Sequence, residues 1–515
     1  MCPALDFNYI ACYNHVIIVK GMSLMTKSER LQRAAERRDL TQGPITKKII
    51  LFSLPIIFGN LFQQLYNVVD SVVVGNFAAD GTHCLAAVNA SFAIMMVFNA
   101  LYMGVSMGAN IVISQYKGAK DMKKLEDAMS TTFLLSMLAG LFITVVGFIC
   151  AKPMLRMLGT PADILDDAAL YIRIIFAGTC GNVVYNNMNG MVQGLGDAKW
   201  PMYALIISSI TNILLDLLFV CAFHWDVAGV ALATILAHIL SGCLMLRRQA
   251  TGVYGAKINF RQLRIDGEIA KHILRLGLPS ALQNMCFAGG SLIIQTFSNR
   301  FGTEFIAANS MLMKIDGFVL LPMMGFSTAI TTFVGQNIGA GDVDRTNKGI
   351  YSTLLISAAV TVFLSVILYF TCPSITLIFG ANANSRNMAA QGIRFVCFFY
   401  VFYSFQSTLS GALRGAGAAL TSALCSIGST LVRVPLSWLL AALPLNRALD
   451  AAVAAGQFAD RASAEAAKIG FEHYIGIFQT WGWSMLAGLL LILPCYLFGR
   501  WREMGVTEQA KKISK

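Results

Sequence analysis

Apolar residues run along this chain in long blocks parted by short polar connections. A bilayer core asks for about 20 consecutive, mostly apolar residues. Twelve blocks meet that length, six within residues 47–248 and six within 269–499. The pattern predicts an all-α, polytopic membrane protein with twelve membrane-spanning helices. A polar, basic linker at 249–268 separates the halves, and polar tails lie at 1–46 and 500–515. Within the first tail, Lys27 to Arg38 reads as a basic surface helix, and the functional chain is expected to begin near Met22 or Met25. The interval 444–474 is longer than its counterpart near His224 and is Ala-rich with scattered charge. It predicts a short amphipathic helix on the outer face.

The two halves repeat. Lys47–Phe77 and Lys271–Phe301 each open with a Leu-Pro pair, Leu54-Pro55 and Leu278-Pro279. At a constant offset of 221, Gly104, Ser106, Gln115 and Gly118 meet Gly325, Ser327, Gln336 and Gly339. In the same register Gly190, Gly194 and Gly196 meet Gly411, Gly415 and Gly417. Six spans is an even number, so the halves are expected to be parallel repeats about an axis along the membrane normal. That is two pseudo-symmetric six-helix lobes with a cavity between them. Pro55 lacks a backbone donor and is expected to bend the first helix as a hinge.

Composition sharpens the picture. The chain is 56% hydrophobic and 13% charged, against about 25% charged in soluble domains. The 39 Lys and Arg outnumber the 27 Asp and Glu. They sit in short loops between apolar blocks, mostly on the side of the two termini, which reads as cytoplasmic termini rather than as a nucleic-acid surface. Twelve cysteines are scattered, without a CxxC pair, which argues against a zinc site or a disulfide framework. No GxxxxGK[ST], HExxH or GxSxG motif occurs, so neither an ATP-driven pump nor an intramembrane hydrolase is supported.

Three acids fall inside the spans: Asp70, Asp216 and Asp316. A carboxylate in hydrocarbon is costly, and it marks an ion or substrate path by default. Asn212 lies one turn before Asp216 on the fifth span, Asn186 and Asn189 share a face of the fourth, Tyr171 precedes them and Thr234 sits in the sixth. Two close carboxylates either share a cation or keep one proton, as an ion-coupled carrier requires. Asn186, Asn189 and Thr234 fit interhelical hydrogen bonding equally well. Lys314 and Asp316 are two apart and point to different faces, which suits gating or structure. The tenth span contains FVCFFYVFYSF; its Phe399 and Tyr403 are candidates for contact with flat or cationic molecules, with packing as the plainer alternative.

Several stretches together resemble the multidrug and toxic compound extrusion (MATE) family across about residues 46–500. They are VDSVVVGNF after the first LP, GVSMGANIVISQYKGAKD, NGMVQGLGDAKWP and NILLD in the first half. In the second half GFSTAITTFVGQNIGAGD, SGALRGAGA and RVPLS are similar to the family pattern. The resemblance implies two lobes forming a V, alternating access, and export of organic cations coupled to H+ or Na+ entry. It implies that Asp70, Asn212, Asp216 and Thr234 form an amino-terminal-lobe cation site, with Tyr171, Asn186 and Asn189 beside it and Pro55 as the bend. Some members carry an acid in the seventh span; here Gln283 and Asn284 stand in that span, which directs coupling to Asp70 and Asp216.

The expected function is therefore a secondary multidrug antiporter of the plasma membrane. It acts as a monomer on small drug-like molecules amid membrane lipid, with no nucleic acid, no cofactor and H+ or Na+ as coupling ion. The competing reading is a flippase for a lipid or lipid-linked saccharide. That function asks for a strongly basic cavity.

Overall fold

The computed structural model describes residues 36, 38–77, 81–223, 225–380 and 382–507. Within these, the side chains of 67, 68, 70–77, 81–89, 92, 93 and 226 lie outside the description. The expected surface helix at Lys27 to Arg38 and the start near Met22 or Met25 fall almost wholly outside the described residues.

Long helices follow one another along the whole chain. The first half holds α1 (Ile45–Phe77), α2 (Gly81–Gly118), α3 (Met122–Met157), α4 (Leu165–Gly194), α5 (Lys199–Asp216) and α6 (Asp226–Ala250). The second holds α7 (Gly267–Asn299), α8 (Gly302–Gly339), α9 (Val343–Leu377), α10 (Ala383–Cys397), α11 (Tyr400–Ala416) and α12 (Ala419–Ser437). Then come α13 (Leu443–Ala454), a short α14 (Arg461–Ala466) and α15 (Ile475–Phe498). Among the described residues ten helices are long and apolar enough to cross a membrane, or eleven if the bent pair α10–α11 is one span. The twelfth is α7, whose 33 residues carry Lys271, His272 and Arg275 near the start. With α10–α11 counted as one span, and α12–α13 as another, the architecture is the expected twelve-helix membrane fold.

Two features differ from the hydropathy pattern. The tenth span is broken, with α10 and α11 meeting at 53°. The break falls inside the apolar run Phe395–Phe405, so it leaves no mark in hydrophobicity. The helix expected within 444–474 exists as α13, but it continues the eleventh span through a π-helical stretch at Trp438–Ala442.

The repeat extends to backbone detail. A π-helical stretch also follows α5 at Leu217–Ala222, in the same register as the one after α12. Asp121 caps α3 by accepting from Lys124 N at 3.1 Å, and Asp342 caps α9 by accepting from Arg345 N at 2.8 Å. Such caps satisfy amide donors that a helix leaves free at its first turn. Ser106 Oγ donates to Asn186 O at 2.6 Å, and Ser327 Oγ donates to Ser407 O at 2.7 Å. Next to each bond a glycine lets the backbones approach. A Cβ on Gly190 would meet the Ser106 carbonyl, and one on Gly411 the Ser327 carbonyl.

The lobes meet on the face that carries residues 38–43 and 501–507. There α1 packs Ile49, Phe52 and Ile56 against α8 and α11 residues such as Ile330, Phe333 and Leu413. In return α7 packs Ile269, Ile273 and Leu276 into the core of the first lobe. Two buried glutamines close the joint reciprocally. Gln115 Nε2 donates to Gly415 O at 2.9 Å, and Gln336 Nε2 donates to Gly194 O at 3.0 Å. Their side-chain oxygens hold the tails: Gln336 Oε1 accepts from Leu40 N at 3.0 Å, and Gln115 Oε1 accepts from Val506 N at 2.6 Å. Gly196 and Gly417 have left-handed φ of 87° and 103°, and the tail backbones at Arg38 and Met504 lie where their side chains would be. Each tail thus bridges both lobes.

Candidate transport site

In the first lobe, α5 presents Asn212 and Asp216 one turn apart, both 1% exposed. With the Asn212 amide oriented to suit its neighbours, its nitrogen donates to Asp216 Oδ2 at 3.0 Å. Its oxygen accepts from Thr234 N at 3.2 Å. The Thr234 hydroxyl turns back to donate to Val230 O at 3.0 Å, so Thr234 joins this cluster through its backbone. The helix changes to π geometry immediately after Asp216, a distortion often found at functional sites. Tyr171 packs beside Val220, Val227 and Val230, residues of the π stretch and of α6. Asp70 lies on α1; its side chain falls outside the described residues. Pro55 is buried within α1.

Asn186 and Asn189 stand elsewhere. Both line a cavity of about 520 Å³ between the lobes, and none of Asn212, Asp216 and Thr234 does. Asn186 Nδ2 donates to Asn182 Oδ1 at 2.7 Å, Asn182 Nδ2 donates to Tyr102 Oη at 2.9 Å, and Asn189 Oδ1 accepts from Gln193 Nε2 at 2.8 Å. The set grouped by sequence therefore divides in two: a buried carboxylate cluster inside the first lobe and an amide-lined wall of the central cavity.

The second-lobe candidates divide as well. Asp316 is buried and accepts a hydrogen bond from the Tyr400 hydroxyl, while Lys314 is exposed with Nζ 5.7 Å from the Phe379 ring centre. Tyr403 lines the cavity. Phe399 is packed instead among Phe395, Phe402 and Trp483, with ring centres 5.1–5.9 Å apart. The two aromatics are four apart, but the break before Tyr400 separates their faces.

Two cavity residues were not among the candidates. Arg433 on α12 lines the cavity at 4% exposure, with its guanidinium carbon 3.8 Å from the Trp481 ring centre. Arg414 reads from sequence as a loop residue on the side of the termini. The structure corrects this: it lies within α11, 9% exposed, lining the cavity and donating to Ser327 Oγ at 2.9 Å and Ser410 Oγ at 3.0 Å. The repeat held the signal, since Arg414 and Arg433 fall opposite Gln193 and Asn212.

The family model MatE matches residues 55–218 and 279–439, well over half the chain. The chain belongs to the MatE family. Among MatE relatives, the probable multidrug resistance protein YpnP of Bacillus subtilis is 28% identical over 74% of this chain and 85% of its own length. The probable multidrug resistance protein NorM of Thermotoga maritima is 25% identical over 73% of this chain and 81% of its own. In fold, the chain is similar to an outward-facing multidrug resistance MATE family transporter, with a TM-score of 0.78, 22% identity, and 92% and 98% of the two chains covered. A MATE structure in the bent conformation gives a TM-score of 0.78 at 22% identity, covering 93% of this chain and 99% of that one. The MatE match accounts for the twin-lobe architecture, and the division of polar groups described above is this chain's own geometry.

Proposed function

We propose that this chain is a secondary active efflux antiporter, exporting organic cations or other drug-like molecules from the cell in exchange for H+ or Na+. The observation that carries the coupling role is the buried Asp216, which accepts from an Asn212 amide that the Thr234 N–H holds in place, away from the cavity. A carboxylate there changes charge when a proton or sodium ion arrives, and nearby helices with small contacts repack in response. Asp70 on the first helix shares the task, Tyr171 borders it, and Pro55 is the hinge through which α1 answers. Asn186, Asn189 and Tyr403 contact cargo in the cavity, while Lys314 and Asp316 serve structure or gating. The names of the relatives, multidrug resistance proteins, support the efflux reading. In this reading the protein is a plasma-membrane monomer with cytoplasmic termini, no catalytic residue and no cofactor. Its lobes span 47–248 and 269–499.

The flippase reading draws on the two cavity arginines, which make that space more basic than the loops suggested. Proteoliposomes loaded with a cationic dye (ethidium) or an anionic dye (carboxyfluorescein), under an imposed proton or sodium gradient, decide between them. One gradient should drive dye movement, and Asp70→Asn and Asp216→Asn should each abolish it with protein still in the membrane. If neither dye moves under either gradient with folded protein, the antiporter reading is wrong.

A further inference from the structure

We infer that the central cavity takes amphipathic organic anions, with Arg414 and Arg433 on the second-lobe wall holding the carboxylate, sulfonate or phosphate head. This rests on the transport reading and narrows its cargo. Both arginines line the cavity and are at least nine-tenths buried. Among the described lining residues there is no Asp or Glu. Arg414 is held by two serine hydroxyls, which are neutral, and its Nε has no partner. Arg433 stacks on Trp481, and its Nε also has no partner. Asp316 senses Arg433 electrostatically, but its bond is to Tyr400, and among the described residues neither arginine forms an ion pair within 4 Å. A buried charge held in no close ion pair is costly, and a planar guanidinium matches an oxyanion head with paired hydrogen bonds.

The repeat shows that this charge was placed in one lobe only. Arg414 and Arg433 occupy positions that are Gln193 and Asn212 in the first half. Two of the three intramembrane acids run the other way, since Asp216 stands where the second half has Ser437 and Asp70 where it has Ile294. Cation coupling and anion binding are thereby assigned to opposite lobes. Facing the arginines, Asn186, Asn189 and Gln193 supply neutral polar groups, while Met103, Phe287 and Met324 supply an apolar surface for the body of the molecule. A volume of about 520 Å³ suits one drug-sized ligand. A cationic head would meet two like charges in a space of low dielectric.

Charge balance provides an independent readout. Exporting an organic anion while one monovalent coupling cation enters moves at least two charges in the same sense, whereas exchanging one monovalent cation for another moves none. The test compares carboxyfluorescein and rhodamine 123 in proteoliposomes, with a potassium–valinomycin potential set at either sign. Carboxyfluorescein should be exported and accelerated by a potential negative on the side it leaves. Arg433→Gln and Arg414→Gln should each slow it at least tenfold, and Arg433→Lys should restore part of the rate. A soluble anion and an anionic lipid share the same head chemistry. Movement of NBD-labelled phosphatidylglycerol between leaflets, if arginine-dependent, would support the anion site and name lipid as its source. Export of rhodamine 123 with carboxyfluorescein and lipid both unmoved would overturn the inference while leaving the antiporter intact. So would an anion rate indifferent to both substitutions. Stillness of all three probes would instead remove the transport reading beneath it. Should the glutamine variants misfold, carboxyfluorescein anisotropy with wild-type protein in detergent still decides: saturable binding that an excess of a non-fluorescent anion (probenecid) displaces and a non-fluorescent cation (tetraphenylphosphonium) does not supports the site, and its absence refutes it.

Discussion

Replacing Gln336 by Leu should loosen the amino-terminal tail and the lobe joint together. Gln336 is 1% exposed and makes two hydrogen bonds, donating to Gly194 O and accepting from Leu40 N, both at 3.0 Å. Leucine has similar bulk and neither function. Each lost bond costs about 1 kcal/mol net, and a buried amide or carbonyl left unsatisfied raises this to about 1–3 kcal/mol. The tail keeps other anchors, since Leu40 O accepts from Arg345 Nη2 at 3.2 Å and Gly43 O accepts from the same nitrogen at 2.8 Å. The net loss is therefore about 2–4 kcal/mol, which is roughly a 30- to 1,000-fold change in an opening equilibrium. Hydrogen exchange followed by mass spectrometry reads this directly at the Leu40 amide and through peptides covering residues 38–45. Gln115→Leu supplies the mirror control, because it frees Val506 and should accelerate exchange at 501–507 while sparing the other tail. The double variant loses about 4–8 kcal/mol from the closed face, comparable with the roughly 5.5 kcal/mol that reverses a 1:99 population. Unchanged exchange at residues 38–45 in Gln336→Leu, with α8 still protected, would refute the reasoning.

Other expectations follow from the same packing. A methyl group on Gly118 would meet the Gln336 carbonyl, and one on Gly339 the Gln115 carbonyl. Either alanine variant should cost about 1–3 kcal/mol through forced backbone shifts, seen as a lower melting temperature in detergent. Ser106→Ala and Ser327→Ala remove equivalent interhelical bonds of 2.6 and 2.7 Å, worth about 1 kcal/mol each. Ser327 also accepts from Arg414, so its variant should lose more, by about 1.5–3 kcal/mol for a bond to a charged group. Equal melting temperatures for the two serine variants would show that the Arg414 contact contributes nothing.

Much of the architecture was readable in residue order because the membrane makes it so. Lipid offers no hydrogen-bond partner to the backbone, so long apolar blocks become helices whatever their neighbours are. The glycine pairs Gly190/Gly194 and Gly411/Gly415 have the small-xxx-small spacing that lets helices cross closely, and Gly190 indeed meets Ser106 and Gly411 meets Ser327. The two-residue spacing of Lys314 and Asp316 likewise placed one outside and one inside. The bend between Cys397 and Tyr400 was not readable, since it falls inside the unbroken apolar run Phe395–Phe405. Nor were the tail contacts, because short polar segments have no period to betray what they touch.

Sequence alone determined that this is a twin-lobed membrane protein, and which spans carry its costly acids. Helical periodicity assigns a residue to a face of its own helix but says nothing of which helix lies opposite. Only the tertiary structure decided that Asn212, Asp216 and Thr234 meet inside one lobe while Asn186 and Asn189 look into the cavity. It also drew Arg414 out of a supposed loop and set it with Arg433 on the facing wall. Those outcomes depend on how six-helix bundles pack and on where α11 bends, and packing is a property of pairs of surfaces.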